Sequence, residues 1–187
     1  GDVDLRNTYS PTFSLIERMI ETAPTRGVER EVFFTESLGW DHHFDVVNSM
    51  TKALKTVDDH LKNFESGLKL QGRWDDVTLV IFSDFGRDLT MNGGNGTDHG
   101  WGSNLFVAGG SVKGGQILGS YPDDLTNKSP YVMGGTVIPT TPLDSMWNSI
   151  AQWMGVTSEG GLNLVAPNRK SFPSEYLWGE NVMFDID

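Results

Sequence analysis

Eleven of the chain's 22 glycines fall between Gly86 and Gly119, a stretch of 34 residues. A segment so rich in residues without Cβ turns sharply, or lets the backbone come close to something, and it does not form the interior of a long helix. It is read as a functional loop over 86–119. Regular structure is expected on either side of it, with a tail over 156–187 behind the last helix. A chain of 187 residues buries one sizeable core, so residues 1–187 are expected to form a single α/β domain or a fragment of one.

Before the loop, Ser10-Pro11 opens a helix whose Phe13, Ile16 and Ile20 share one face, and Pro24 is expected to end it. Val32, Phe33 and Phe34 form a short β-prone run that closes at Gly39-Trp40-Asp41. From Asp45 onward, Val46, Val47, Met50, Ala53, Leu54, Val57, Leu61, Phe64 and Leu68 recur at steps of three and four, the pattern of a long amphipathic helix ending at Gly72. Val77 to Phe82 is continuously apolar, as in a central strand covered on both faces. Asn104–Ala108 and Gln116–Leu118 are shorter strand candidates. Pro142 opens a last helix in which Leu143, Met146, Trp147, Ile150 and Met154 share a face up to Gly155. The order is that of an α/β layer architecture with chemistry at strand ends.

Composition narrows the function classes. The 14 basic and 25 acidic residues give a net charge of −11 with no basic patch, which disfavours nucleic acid and favours cations. Without cysteine there is no thiolate metal site, disulfide or cysteine nucleophile. No apolar run is long enough to span a membrane or to act as a signal-peptide core. The chain begins at Gly1 with no initiator Met, as expected of a processed product or a piece of a longer protein.

Three clusters carry the chemistry: Asp41-His42-His43, Ser83-Asp84-Phe85-Gly86-Arg87 and Thr97-Asp98-His99-Gly100-Trp101. They contain three of the four histidines. Carboxylates and imidazoles gathered at strand ends are the ligand set for zinc or a similar divalent ion when thiolates are absent. A cation would also offset the repulsion between crowded carboxylates. Plainer roles stand beside these. Asp41 could cap the long helix, with His42 and His43 as solvated turn residues. Arg87 could hold an anion or pair with Asp84 or Asp88. Asn92 and Asn95 could bind a metal or a substrate oxygen, or simply form turns. His60, among Asp58, Asp59 and Lys62, reads as a surface histidine.

The strings VTLVIFSDFGR, NGGNGTDHGWGSNLFVAGGSVKGGQILGSYP and IPTTPLDSMWNSIAQWMGV resemble the C-terminal part of the domain-of-unknown-function 1501 proteins, a branch similar to alkaline phosphatases and sulfatases. VFFTESLGWDHHFD resembles that family's aromatic-Asp-Thr-His segment, with His42 in place of Thr. The resemblance spans roughly residues 10 to 170. It implies an alkaline-phosphatase-like α/β fold, a central mainly parallel sheet flanked by helices, of which this chain would be the C-terminal half. It also implies export from the cytoplasm, to a secreted or periplasmic location.

By the same resemblance Asp41, His43, Asp84, Asp98 and His99 would bind a divalent metal, zinc first and calcium or manganese as alternatives. Arg87 and Asn92 would contact the anion. Phe85 stands where the superfamily often has a histidine ligand, and phenylalanine cannot coordinate metal. The superfamily's nucleophilic Ser or Thr has no counterpart here, since Thr8, Ser10 and Thr12 precede a plain helix.

The leading expectation is therefore a metal-dependent hydrolase of a small anionic phosphate or sulfate ester, present without its N-terminal nucleophile region. The alternative is a non-catalytic structural or interaction subunit that keeps the fold and binds a protein partner. Phe85, the absent nucleophile and six tryptophans motivate it.

Overall fold

The computed structural model describes residues 10–186, so Thr8 lies outside the described residues. The chain divides into two compact units, Gly1–Asp76 with Met91–Asp98, and Val77–Thr90 with His99–Asp187.

The first unit is built on two helices. α1 (Pro11–Arg26) starts with proline at its first helical position, where the missing N–H costs nothing. It runs through Pro24 rather than ending there. A proline in the last turn forfeits only one intrahelical hydrogen bond, and Gly27, with φ 65°, closes the helix. α2 (Val46–Leu70) is the long amphipathic helix expected from the periodicity. Ile16, Ile20 and Ala23 of α1 and Phe64 and Leu68 of α2 are buried, with the Phe13 and Phe64 rings 4.9 Å apart. His60 is half-buried, its ring edge-on to Phe13 at 6.4 Å, and so is less of a surface residue than its neighbours suggest.

The β-prone run Val32–Phe34 does not become a strand. Val32 and Phe34 are 85% and 73% exposed, and no ladder partner lies beside them among the described residues. β propensity needs a neighbouring strand to act on.

In the second unit, β1 (Thr78–Ile81) falls inside the apolar run and pairs with β4 (Phe106–Gly109). The pairing is antiparallel, with Thr78 opposite Gly109 and Ile81 opposite Phe106. The expected central, mainly parallel sheet is not present among the described residues. All three sheets are two-stranded, so β1 is an edge strand, and Ile81 and Phe82 keep 38% and 44% exposure. The glycine-rich region is not wholly loop. It contains β2 (Gly86–Met91) and β3 (Thr97–Gly100), which form a second sheet, as well as β4. The short link between β2 and β3 allows only an antiparallel hairpin. Its tip belongs to the first unit and its base to the second. Gln116–Leu118 forms no strand; β5 (Val132–Met133) and β6 (Thr136–Val137) make a small antiparallel hairpin instead.

α3 (Leu143–Trp153) carries the core of this unit. Met146 is buried with Met183 and Phe184 of the tail, and Val80, Val107, Trp147 and Ile150 pack around them. Leu143, expected on the buried face, is exposed. Buried polar residues take an adjacent stripe of the helix, because the tail lies along it. Ser145 donates to the carbonyl of Tyr176, Asn148 to that of Trp178 at 2.9 Å, and Ser149 to that of Gly179 at 2.9 Å. Side chains thus satisfy a tail backbone that lacks ladder partners. The tail includes α4 (Glu159–Val165) and α5 (Glu180–Met183), and Phe184 is fully buried. No helix among the described residues is long and apolar enough to cross a membrane.

Candidate metal centre

The first unit brings together three of the five expected ligands, and the tip of the β2–β3 hairpin does the assembling. The first peptide N–H groups of a helix have no partner within it. At α2, the N–H groups of Asp45 and Val46 donate to the carbonyls of Gly94 and Asn95. Asp45, with φ 45°, occupies the cap position, so Asp41 does not serve as the helix cap. Phe44 bridges to Asn95, and Thr97 N–H donates to the carbonyl of His42. Gly96 is buried where a Cβ would overlap the His43 carbonyl carbon and oxygen. Only glycine lets the two segments approach this closely.

Asn92 is the hub of this arrangement. Its Oδ1 accepts the N–H groups of Gly94 and Gly96 at 2.9 and 3.0 Å. Its Nδ2 donates to the His43 carbonyl and to Asp98 Oδ1, each at 3.1 Å. Its expected contact with an anion would draw on an amide that already has four protein partners.

His43 sits between two carboxylates. Its Nδ1 lies 3.0 Å from Asp41 Oδ1, and its Nε2 lies 4.0 Å from Asp98 Oδ1. With the Nδ1 proton donated to Asp41, Nε2 carries the lone pair that a metal takes. The 4.0 Å gap is too long for a hydrogen bond. His43 and Asp98 would together offer a divalent cation one imidazole and one carboxylate, donors that suit zinc. Asp41 and Asp98 are exposed and His43 is half-buried, which leaves the group open to solvent.

The other expected residues lie in the second unit. Asp84 is exposed in the link between β1 and β2, beyond the end of the strand. Arg87 is on β2 and His99 on β3. Phe85 stacks on His99 with centroids 4.0 Å apart and planes within 6°, and the Arg87 guanidinium carbon is 4.8 Å from the Phe85 centroid.

Two features escaped the sequence reading. His42, taken for a solvated turn residue, has a buried Nε2 with no hydrogen-bond partner among the described residues. Such an atom costs about 1–3 kcal/mol unless a water or a ligand meets it. The hub role of Asn92 was hidden because asparagines among glycines, here Asn92 and Asn95, read as turn formers.

No curated protein and no solved structure matches the chain. A family model described as "Protein of unknown function (DUF1501)" matches residues 14–133, which hold most of α1, all of α2, β1 to β4 and every expected ligand. That match covers more than half of the 187 residues, and the chain belongs to the DUF1501 family.

Proposed function

We propose that this chain binds a divalent cation, zinc first, as the metal-holding part of a hydrolase acting on phosphate or sulfate esters. The observation that carries the reading is His43 set between Asp41 and Asp98, with its Nε2 4.0 Å from Asp98 Oδ1. His99, the next residue after Asp98 in the chain, and Asp84 complete the proposed ligand set. A cation held there would supply Lewis-acid stabilisation of the charge that develops on an ester oxygen, and Arg87 would meet the anion. The nucleophile and the parallel strands of an alkaline-phosphatase-like sheet would be supplied from outside these residues, in an exported protein.

Metal analysis of the wild type and of Asp84→Ala and His99→Ala tests the ligand set. Full occupancy in both variants would remove those two residues from it. Turnover of aryl phosphates or sulfates with added zinc, calcium or manganese would support catalysis.

A second reading, a non-catalytic interaction subunit, draws on exposed apolar residues. Val32, Phe34 and Leu38 of the first unit and Trp101 of the second are all well exposed. Stable capture of a protein partner together with no ester turnover under any of those metals would favour it.

A further inference from the structure

We infer that Phe85 is a positioning residue, whose ring fixes the plane of His99 and seats Arg87, so that one aromatic platform orients a proposed metal ligand and a proposed anion contact. The inference rests on the metal-binding reading above and adds to it a role for a residue that cannot itself bind metal.

His99 is exposed, and the terminal torsion of a histidine is broad and roughly two-fold, so the plane of its ring is set by what the ring contacts. Stacked on Phe85 at 4.0 Å and 6°, it has one ring plane. Phe85 is half-buried, its N–H donates to Ser83 Oγ at 3.4 Å, and the residue after it is clamped. Gly86 is buried where a Cβ would overlap the carbonyl of Gly102, so the backbone that presents the Phe85 ring has little room to shift.

Neutral aromatic pairs favour offset or edge-on contact over a parallel face. A parallel stack gains when one ring carries positive charge, because the face of phenylalanine is electron-rich. Metal coordination puts such charge on the imidazole. The Phe85–His99 stack is thus stronger with a cation bound than without one, and by linkage the stack raises affinity for the cation. Arg87, with its guanidinium carbon 4.8 Å from the same ring centroid, is a second cationic group held by Phe85.

The test combines proton NMR of the metal-free protein with zinc titration of the wild type, Phe85→Leu and Phe85→Tyr, the His99 signals being assigned with His99→Gln. The expected result is His99 ring protons displaced upfield in the wild type and in Phe85→Tyr, and returned to ordinary positions in Phe85→Leu. Zinc affinity is expected to fall about tenfold or more in Phe85→Leu, as for loss of other partners that orient a metal ligand, and to recover in Phe85→Tyr. Phe85→Met replaces the leucine variant should the latter not fold.

Ordinary His99 shifts in the wild type, or wild-type zinc affinity in a folded Phe85→Leu, would overturn the inference and leave the metal reading standing. A wild type that takes up no zinc would overturn the metal reading, and the inference with it.

Discussion

The side-chain amide of Asn92 donates to Oδ1 of Asp98 at 3.1 Å, and the same nitrogen reaches the carbonyl of His43, also at 3.1 Å. One amide therefore ties the carboxylate of the hairpin to the segment that carries the histidine. Asn92→Ala leaves the His43 carbonyl and two glycine N–H groups without their partner. The expected cost is about 2 kcal/mol or more in urea unfolding. Faster hydrogen exchange at Gly94 and Gly96 should accompany it, and unchanged exchange there would argue against the hub.

Gly96 and Gly93 make a matched pair. A Cβ at Gly96 meets the His43 backbone, whereas one at Gly93 meets nothing within 4 Å. Gly96→Ala is expected to cost about 1–3 kcal/mol, and Gly93→Ala to stay within about 0.5 kcal/mol. Thermal melts of the two variants measure the difference.

The tail is part of the core of the second unit. Phe184 is fully buried and stacks on Trp153 at 5.0 Å, so Phe184→Ala should cost about 3–5 kcal/mol. Removal of residues 180–186 should unfold the second unit, as read by loss of near-UV tryptophan signals. A truncated chain that keeps those signals would show the tail to be dispensable.

Arg169 contributes to the pH dependence of stability. It is nearly buried, with Nε on Asn148 Oδ1 at 2.9 Å and Nη1 on Glu159 Oε1 at 2.6 Å, and this hydrogen bond holds the Glu159 carboxyl below its usual range. A carboxyl depressed on folding adds stability above its unfolded pKa, and that stability is lost as pH falls through the folded value. Acid titration from neutral pH should therefore show a loss beginning near the ordinary glutamate range, about pH 4–5, and continuing below it. Glu159→Gln should reduce that acid-dependent loss, while Arg169→Ala should destabilise at every pH by stranding Asn148.

Helices were legible in the sequence wherever one apolar stripe meets one partner. The steps of three and four in α2 mark its span closely, because Phe64 and Leu68 repeat on the face that meets α1. The strands were harder. Val32–Phe34 has the residues of a strand and no partner, whereas Gly86–Met91 has the residues of a loop and a partner in β3. Pairing is a tertiary fact that local composition does not carry. The parallel sheet was inferred from an apolar run and a resemblance, and neither specifies strand direction. At the site, residue type pointed to the clusters that contain Asp41, His43 and Asp98, since few other side chains suit a thiol-free metal site, and the family resemblance named these residues among five ligands. Asn92 and Phe85 were not legible as organisers, because hydrogen bonding to a distant backbone and ring stacking leave no local spacing.

The most direct measurement of the central claim is zinc titration of wild type, His43→Ala, Asp98→Ala and the control His60→Ala, followed by calorimetry and by the melting temperature. Saturable binding should stabilise the wild type and His60→Ala, by about 2.7 kcal/mol at a hundredfold excess over Kd, and should be lost or greatly weakened in His43→Ala and Asp98→Ala. Wild-type titrations in both site variants would contradict a metal centre built on His43 and Asp98.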